Sequence, residues 1–342
     1  MNQFRIVIVG AGAISHIAHV PAVLASPLAR LAGVVDPDQA RAKSLCRAYG
    51  LDSPVAATVD ELAASFDAAI VATPNDLHAP VAKALIENDI PVLIEKPVAT
   101  DTAEALELAA LAEARQVTTA VGYHTRHSGA CQALKQVVES GEFGAALRFA
   151  HQDGSRGGWS PLSNYNLDRA RAGGGVLVTT GTHFLDRLIW LWGMPSAVDC
   201  RDNGFNGPES HCIARFRFAR PDFELAGSAF FSKVVNLSES SVIETEAGHL
   251  IMASDAADTI TFRPHANPRL EYQVKPRGHG HDPRSLYQRQ LEDFIDACLN
   301  QRPPCVDAAT AALTSQLVAD LYANRADLAY DQFQHSQPQR AQ

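Results

Sequence analysis

Residues 4–9, FRIVIV, form a short unbroken apolar run rich in β-branched side chains, the pattern of a strand buried on both faces. The run stops at Gly10-Ala11-Gly12-Ala13-Ile14-Ser15, and a helical pattern follows. A second strand over 31–35 ends at Asp36. Residues 37–49 then have helical spacing, with Leu45 and Tyr49 four apart. The alternation repeats, with strands at 66–72, 90–94 and 117–121 and helices at 78–88 and 102–115. Strands that alternate with helices in this way predict βαβ units and a doubly wound parallel sheet. This unit is expected to occupy residues 1–124.

The pattern then changes. A helix at 128–140 precedes a strand at 145–151, a polar loop rich in Arg and Gly over 153–175, and a long helical pattern over 176–193. Between 197 and 263, strand-like segments at 211–218, 223–232, 239–246, 249–253 and 258–263 are separated only by turn signals, with Ala247-Gly248-His249 reading as a hairpin turn. With no helix between them, the strands predict an open, mostly antiparallel sheet in an α+β domain over 125–283. One face is covered by helices and one is free, a surface suited to a homodimer or homotetramer. Residues 264–283, rich in Pro, His and Gly, read as a loop. Helices at 284–300 and 307–326 complete a C-terminal segment, 284–330, and the polar tail from Gln332 is expected to fray.

Composition narrows the classes. The chain has 342 residues, 46% hydrophobic and 20% charged, enough for about two domains, each with its own core. Its 22 glycines and 19 prolines exclude collagen-like and low-complexity chains. A net charge of −9 repels phosphodiester backbones, so no nucleic-acid partner is expected. The six cysteines lie far apart with no Cys-x-x-Cys pair and read as reduced, buried fillers. No signal peptide and no apolar run of roughly 18 residues is found, so a cytoplasmic protein without a membrane partner is expected.

Several residues carry candidate chemistry. Gly-x-Gly-x-x-Ser between a strand and a helix aims the backbone N–H groups around Ala13 and Ile14 at a pyrophosphate. Gly10 permits the tight turn, Gly12 allows close approach, and Ser15 is small and adds a hydroxyl. Asp36, 26 positions after Gly10, is placed to accept ribose hydroxyls and to repel a 2′-phosphate, which favours NAD over NADP, although Arg41 and Lys43 follow on the next helix. Thr73, Pro74, Asn75 and His78 follow the third strand, and Glu95, Lys96 and Pro97 follow the fourth. Both groups lie at carboxyl ends of strands, where open parallel sheets bind ligands. A lysine beside a nicotinamide cation in a desolvated pocket should have a lowered pKa and could help to deprotonate a hydroxyl.

On the 176–193 helix, Thr179 and His183 are spaced i, i+4, with Asp186 near the same stripe and Trp190 a turn further. Thr179 or Asp186 could therefore set the tautomer of His183. The preceding loop offers Arg156, Trp159, Asn164, Tyr165, Arg169 and Arg171 for stacking on and hydrogen bonding to a polyhydroxylated substrate. Tyr123, His124 and Arg126, at the end of the 117–121 strand, are further pocket candidates. His265, His279 and His281 lack a carboxylate or cysteine set, so no metal site is expected.

With GAGAIS at 10–15, ATPNDLH at 72–78, EKP at 95–97, GYHTR at 122–126, GGGVLVTTGTHFLD at 173–186 and FIDACLNQRPP at 294–304, the sequence resembles the Gfo/Idh/MocA oxidoreductases along nearly its whole length. The resemblance implies a Rossmann domain, a second domain with an open sheet, a last helix that returns to the first domain, and hydride transfer on sugars, inositols and related polyols. It further implies that Lys96 is the catalytic lysine and His183 the acid/base near the reacting oxygen. Thr179 stands where the family usually has an aspartate, which removes an expected carboxylate. Two other readings share the motifs: a nucleotide-binding regulator without catalysis, and a reductase of a non-sugar substrate.

Overall fold

The computed structural model describes residues 3–156, 164–205, 207–221, 223–253, 258–277, 282 and 284–328. β1 (Phe4–Val9) leads through a wide π-type turn at Ser15–His19 into α1 (Val20–Ala25). β2 (Ala29–Val35), α2 (Gln39–Ala48), β3 (Val55–Ala56), β4 (Ala68–Val71), α3 (His78–Glu87), β5 (Val92–Ile94), α4 (Thr102–Arg115) and β6 (Thr119–Val121) follow. Among the described residues these strands form one six-stranded sheet in the order β3-β2-β1-β4-β5-β6, parallel throughout. The predicted parallel sheet is therefore present. The two-residue β3 was not anticipated; it closes the sheet edge beside Asp36, whose N–H donates to Ala56 O.

The apolar run of β1 shows why it must be buried on both faces. Ile6 and Ile8 pack into one core with Val20, Val23 and Leu45, whereas Val7 and Val9 pack into another with Leu85, Ile86 and Leu108. Helices are punctuated by side-chain caps. Asp38 accepts from Arg41 N–H, and Asp101 accepts from the N–H groups of Ala103 and Glu104.

The second part contains α5 (Gly129–Ser140), β7 (Ala146–Gly154), α6 (Arg169–Ala172), α7 (Thr182–Trp192), β8 (Ala197–Asp202), β9 (His211–Arg220), β10 (Phe223–Ser232), β11 (Leu237–Thr245), β12 (Gly248–Ala253), β13 (Ile260–Pro264) and β14 (Tyr272–Val274). After α8 (Leu286–Asn300) and α9 (Ala308–Ala323), β15 (Arg325–Asp327) ends the description. The sheet order is β14-β13-β12-β11-β7-β10-β9-β8-β15. Pairing is antiparallel except for β7 with β10 and β8 with β15, so the sheet is mostly antiparallel, as expected, with two parallel pairings that were not. α6 interrupts the expected 153–175 loop, β8, β14 and β15 are additional strands, and Arg325 and Ala326 open β15 where the 307–326 helix was expected to continue. The hairpin turn is Glu246-Ala247, with Gly248 already in β12.

One face of this sheet is core. Cys212, Ala214, Phe216, Phe218, Leu225 and Phe231 lie against α5 and α7. The alternate residues Ile213, Phe230, Val242 and Ile251 lie on the other face and are only partly covered. Both C-terminal helices return to the first sheet. Leu291, Phe294 and Ile295 of α8 join the Ile6 core, and Ala311 and Ala312 of α9 join the Val7 core. Among the described residues no helix is long and apolar enough to cross a membrane.

Candidate active site

The glycine loop is shaped by contact with β4. Gly10 has φ +105°, and a Cβ there would lie 2.4 Å from Ala72 O, so only glycine fits. Gly12 differs: a Cβ would find only Ala72 O, at 4.0 Å, which leaves its side of the loop open. Ala13 and Ile14 begin the helical turn. Ser15 is fully buried and its hydroxyl donates inward to Gly10 O at 2.5 Å, so it braces the loop and does not face a ligand. Asp36 accepts from Ala11 N–H at 2.8 Å and from Asp38 N–H at 2.8 Å. It is fixed at the tip of β2, with the Arg41 guanidinium 3.9 Å away.

At the end of β4, Thr73 Oγ1 is buried and has no hydrogen-bond partner, and Pro74 turns the chain. Asn75 and His78, expected to meet a cofactor, are occupied elsewhere. Asn75 Nδ2 donates to Ala172 O at 2.8 Å, which ties the first sheet to α6. His78 is buried between the carbonyls of Pro97 (2.7 Å) and Thr73 (2.9 Å). It pins the β4 and β5 loops together. The orphaned Thr73 hydroxyl, the open face of Gly12, the helix-start amides and the Asp36 carboxylate fit a dinucleotide lying across the strand tips.

Lys96 follows β5 and is joined to Pro97 by a cis peptide bond. Its Nζ donates to Thr179 O at 2.6 Å. That carbonyl belongs to a second π-type turn, Leu177–Gly181, immediately before α7; wide turns of this kind expose carbonyls and are frequent at functional sites. Burial lowers the Lys96 ammonium to about 8, against the opposing pull of Glu95 and with a further push from Lys233. Glu95 itself is paired with His19, Oε1 to Nε2 at 2.9 Å, both buried. Burial alone would raise the Glu95 carboxyl. The hydrogen bond and charge of His19, with Lys96 and His124, outweigh burial and hold it at about 2.

His183 lies in the first turn of α7. Its Nδ1 is buried without a partner. Burial, then the charges of Lys96, His124 and Arg187, keeps its pKa well below 6.5, so the imidazole is a neutral base. The His124 ring is 4.7 Å from it and is stacked on Tyr287 at 4.2 Å. Burial lowers His124 to about 4. An amine from the first sheet and two neutral imidazoles thus converge.

Other expected pocket residues have structural posts. Arg126 is buried, with two 2.7 Å bonds to the Asp186 carboxylate and Trp190 against its guanidinium. Its guanidinium is thus held by Asp186, and the Asp186 carboxylate is held by Arg126 and not by His183. Tyr123 meets His183 edge-on at 5.9 Å but is fully buried beside Thr314. Arg169 donates to Gly207 O and covers the Tyr322 ring. The Thr179 hydroxyl turns back to Gly175 O, and only its carbonyl serves Lys96. Trp159, His279 and His281 lie outside the described residues. Among the described residues no group of three His, Cys, Asp or Glu could hold a metal.

The sequence reading missed Glu209. Buried in the second part, it accepts from the N–H groups of Gly175 (2.9 Å) and Leu177 (3.0 Å) and from Tyr322 Oη (2.8 Å). It caps the start of the His183 helix from outside that helix. The pairing spans 32 or more positions, so no local sequence signal reveals it.

Residues 4–123 match the family model described as an oxidoreductase family with an NAD-binding Rossmann fold, and 131–229 match a GFO/IDH/MocA C-terminal domain. A putative UDP-kanosamine synthase oxidoreductase subunit from Amycolatopsis mediterranei is 37% identical over 46% of this chain, although the match spans only 43% of that relative. D-glucoside 3-dehydrogenase of Escherichia coli is 25% identical over 94% of this chain and 95% of its own. Levoglucosan dehydrogenase, solved with NADH and levoglucosan, shares the fold with a TM-score of 0.78 at 19% identity, covering 94% of this chain and 97% of that one.

Proposed function

The chain belongs to the GFO/IDH/MocA family of NAD-binding oxidoreductases, and from that premise we propose that it transfers hydride between nicotinamide and a hydroxyl or keto carbon of a sugar, inositol or nucleotide-sugar. One observation carries this reading: Lys96 Nζ, from the tip of β5, sits on Thr179 O one turn before His183, so an amine and a neutral imidazole from two different sheets' layers are brought near one another.

The glycine loop, Asp36 and Thr73 would hold the dinucleotide, and NAD, when bound, would supply the hydride acceptor. His183 accepts the alcohol proton as the carbon loses hydride, and Lys96 hydrogen-bonds the same oxygen and stabilises its developing charge. In the reverse direction His183 returns the proton to the ketone oxygen. Asp36 repels a 2′-phosphate, so NAD is preferred to NADP. The division of labour follows residues 1–124 for cofactor, 125–283 for substrate and assembly, and 284–330 as helices that lock the two together. The partly covered sheet face around Phe230 and Val242 supports a homodimer or homotetramer, and the six unpaired cysteines support a reducing, cytoplasmic setting.

A panel of inositols, aldoses and anhydro-sugars, each incubated with NAD, tests the activity. NADH formation with at least one of them is expected. A chain that binds NAD yet reduces none of it across the panel speaks for the regulator instead.

A further inference from the structure

Near Lys96 and His183 two carboxylates are already committed, Glu95 to His19 and Asp186 to Arg126. Asp153 is different: neither hydrogen bond nor ion pair ties its carboxylate among the described residues, and burial and the charges of neighbours act on it. Its place follows from the sheet. On β7, Phe149, His151 and Asp153 alternate toward α7, and His151 stacks on Phe184 at 4.1 Å. On the parallel neighbour β10, Phe231 is in register with Asp153 and packs against Phe184 and Gly181. Asp153 therefore lies at the level of residues 179–183, and Lys233 sits in the bend that follows Ser232 at the end of β10. At the 179–183 level Lys96 is held on Thr179 O.

We propose that Asp153 and Lys233 are positioning residues that set the charge on Lys96 from the sheet side. The proposal rests on Lys96 being the reacting amine. An ionised Asp153 favours the ammonium form of Lys96, and Lys233 opposes it. The groups that face Asp153 are Lys233 from the bend after β10, Glu239 from β11, Arg187 from α7 and Lys96 itself. Burial and then Glu239 raise the Asp153 carboxyl to about 6, while the three cations pull it down. As pH falls through that value Lys96 loses one of the two negative charges that hold its proton.

The full chain labelled with 13C,15N-lysine provides the test, because only six lysines are present and Lys96→Arg assigns the relevant signal. The Lys96 titration midpoint, near 8 in the unaltered chain, is expected to fall by about half a pH unit or more in Asp153→Asn, to rise in Lys233→Met and to be restored in Asp153→Glu. A purely structural Asp153 would leave the Lys96 midpoint where it is. A midpoint unmoved in both Asp153→Asn and Lys233→Met overturns the proposal; should the first variant not fold, the second decides. The titration needs no substrate, so a chain that oxidises no polyol would overturn the proposed activity without touching this result.

Discussion

Single residues here are set by their partners more than by their type. Glu95 is held at about 2, well below its usual 4.5. A carboxyl lowered on folding contributes stability above its unfolded value and loses it as pH drops toward the folded one. Glu95→Gln should therefore flatten the loss of stability between pH 4.5 and 2 relative to the unaltered chain, as read by denaturant unfolding at several pH values. An unchanged acid slope would contradict the His19–Glu95 pair. Arg126 makes the complementary case. Arg126→Met strands a fully buried Asp186 and should cost about 3–5 kcal/mol, largely recovered by the double variant Arg126→Met/Asp186→Leu. A rise in substrate KM with stability intact would instead return Arg126 to the pocket.

At the scale of elements, much was legible. The FRIVIV run demanded two covered faces and has them, and 102–115 is a helix with the expected ends. The glycine spacing marked the tight turn after β1, where Gly10 has φ +105°. What stayed hidden depends on partners distant in sequence: the three-residue strands β14 and β15 have too few residues for a period, the Glu209 cap comes from another segment, and Asp153 looks like an ordinary strand-end acid. The partners of His78 and Arg126 were hidden for the same reason, since residue type and strand-end position do not reveal a buried partner. The loop itself yields a clean separation. Gly12 faces open space, so Gly12→Ala should leave the melting temperature nearly unchanged while weakening NAD affinity at least tenfold by calorimetry. A large drop in melting temperature would mean that the glycine serves packing.

Across the whole molecule, α8 and α9 cover opposite faces of the first sheet, and Leu317 and Leu321 of α9 also join the core that α7 shares with the second sheet, which ties the two layers together. The second sheet's other face presents Ile213 beside Phe230 and Val242 beside Ile251. Sedimentation velocity is expected to find a dimer or tetramer, and Phe230→Glu is expected to dissociate it without loss of NAD binding. A monomer in the unaltered chain would remove that face from the account.

The convergence of Lys96 and His183 on one alcohol is tested most directly by single-turnover hydride transfer in Lys96→Ala, with NAD affinity measured on the same preparation. The rate should fall by about 10²-fold or more while NAD binds as before. An unaltered rate at unaltered affinity would take Lys96 out of the chemistry.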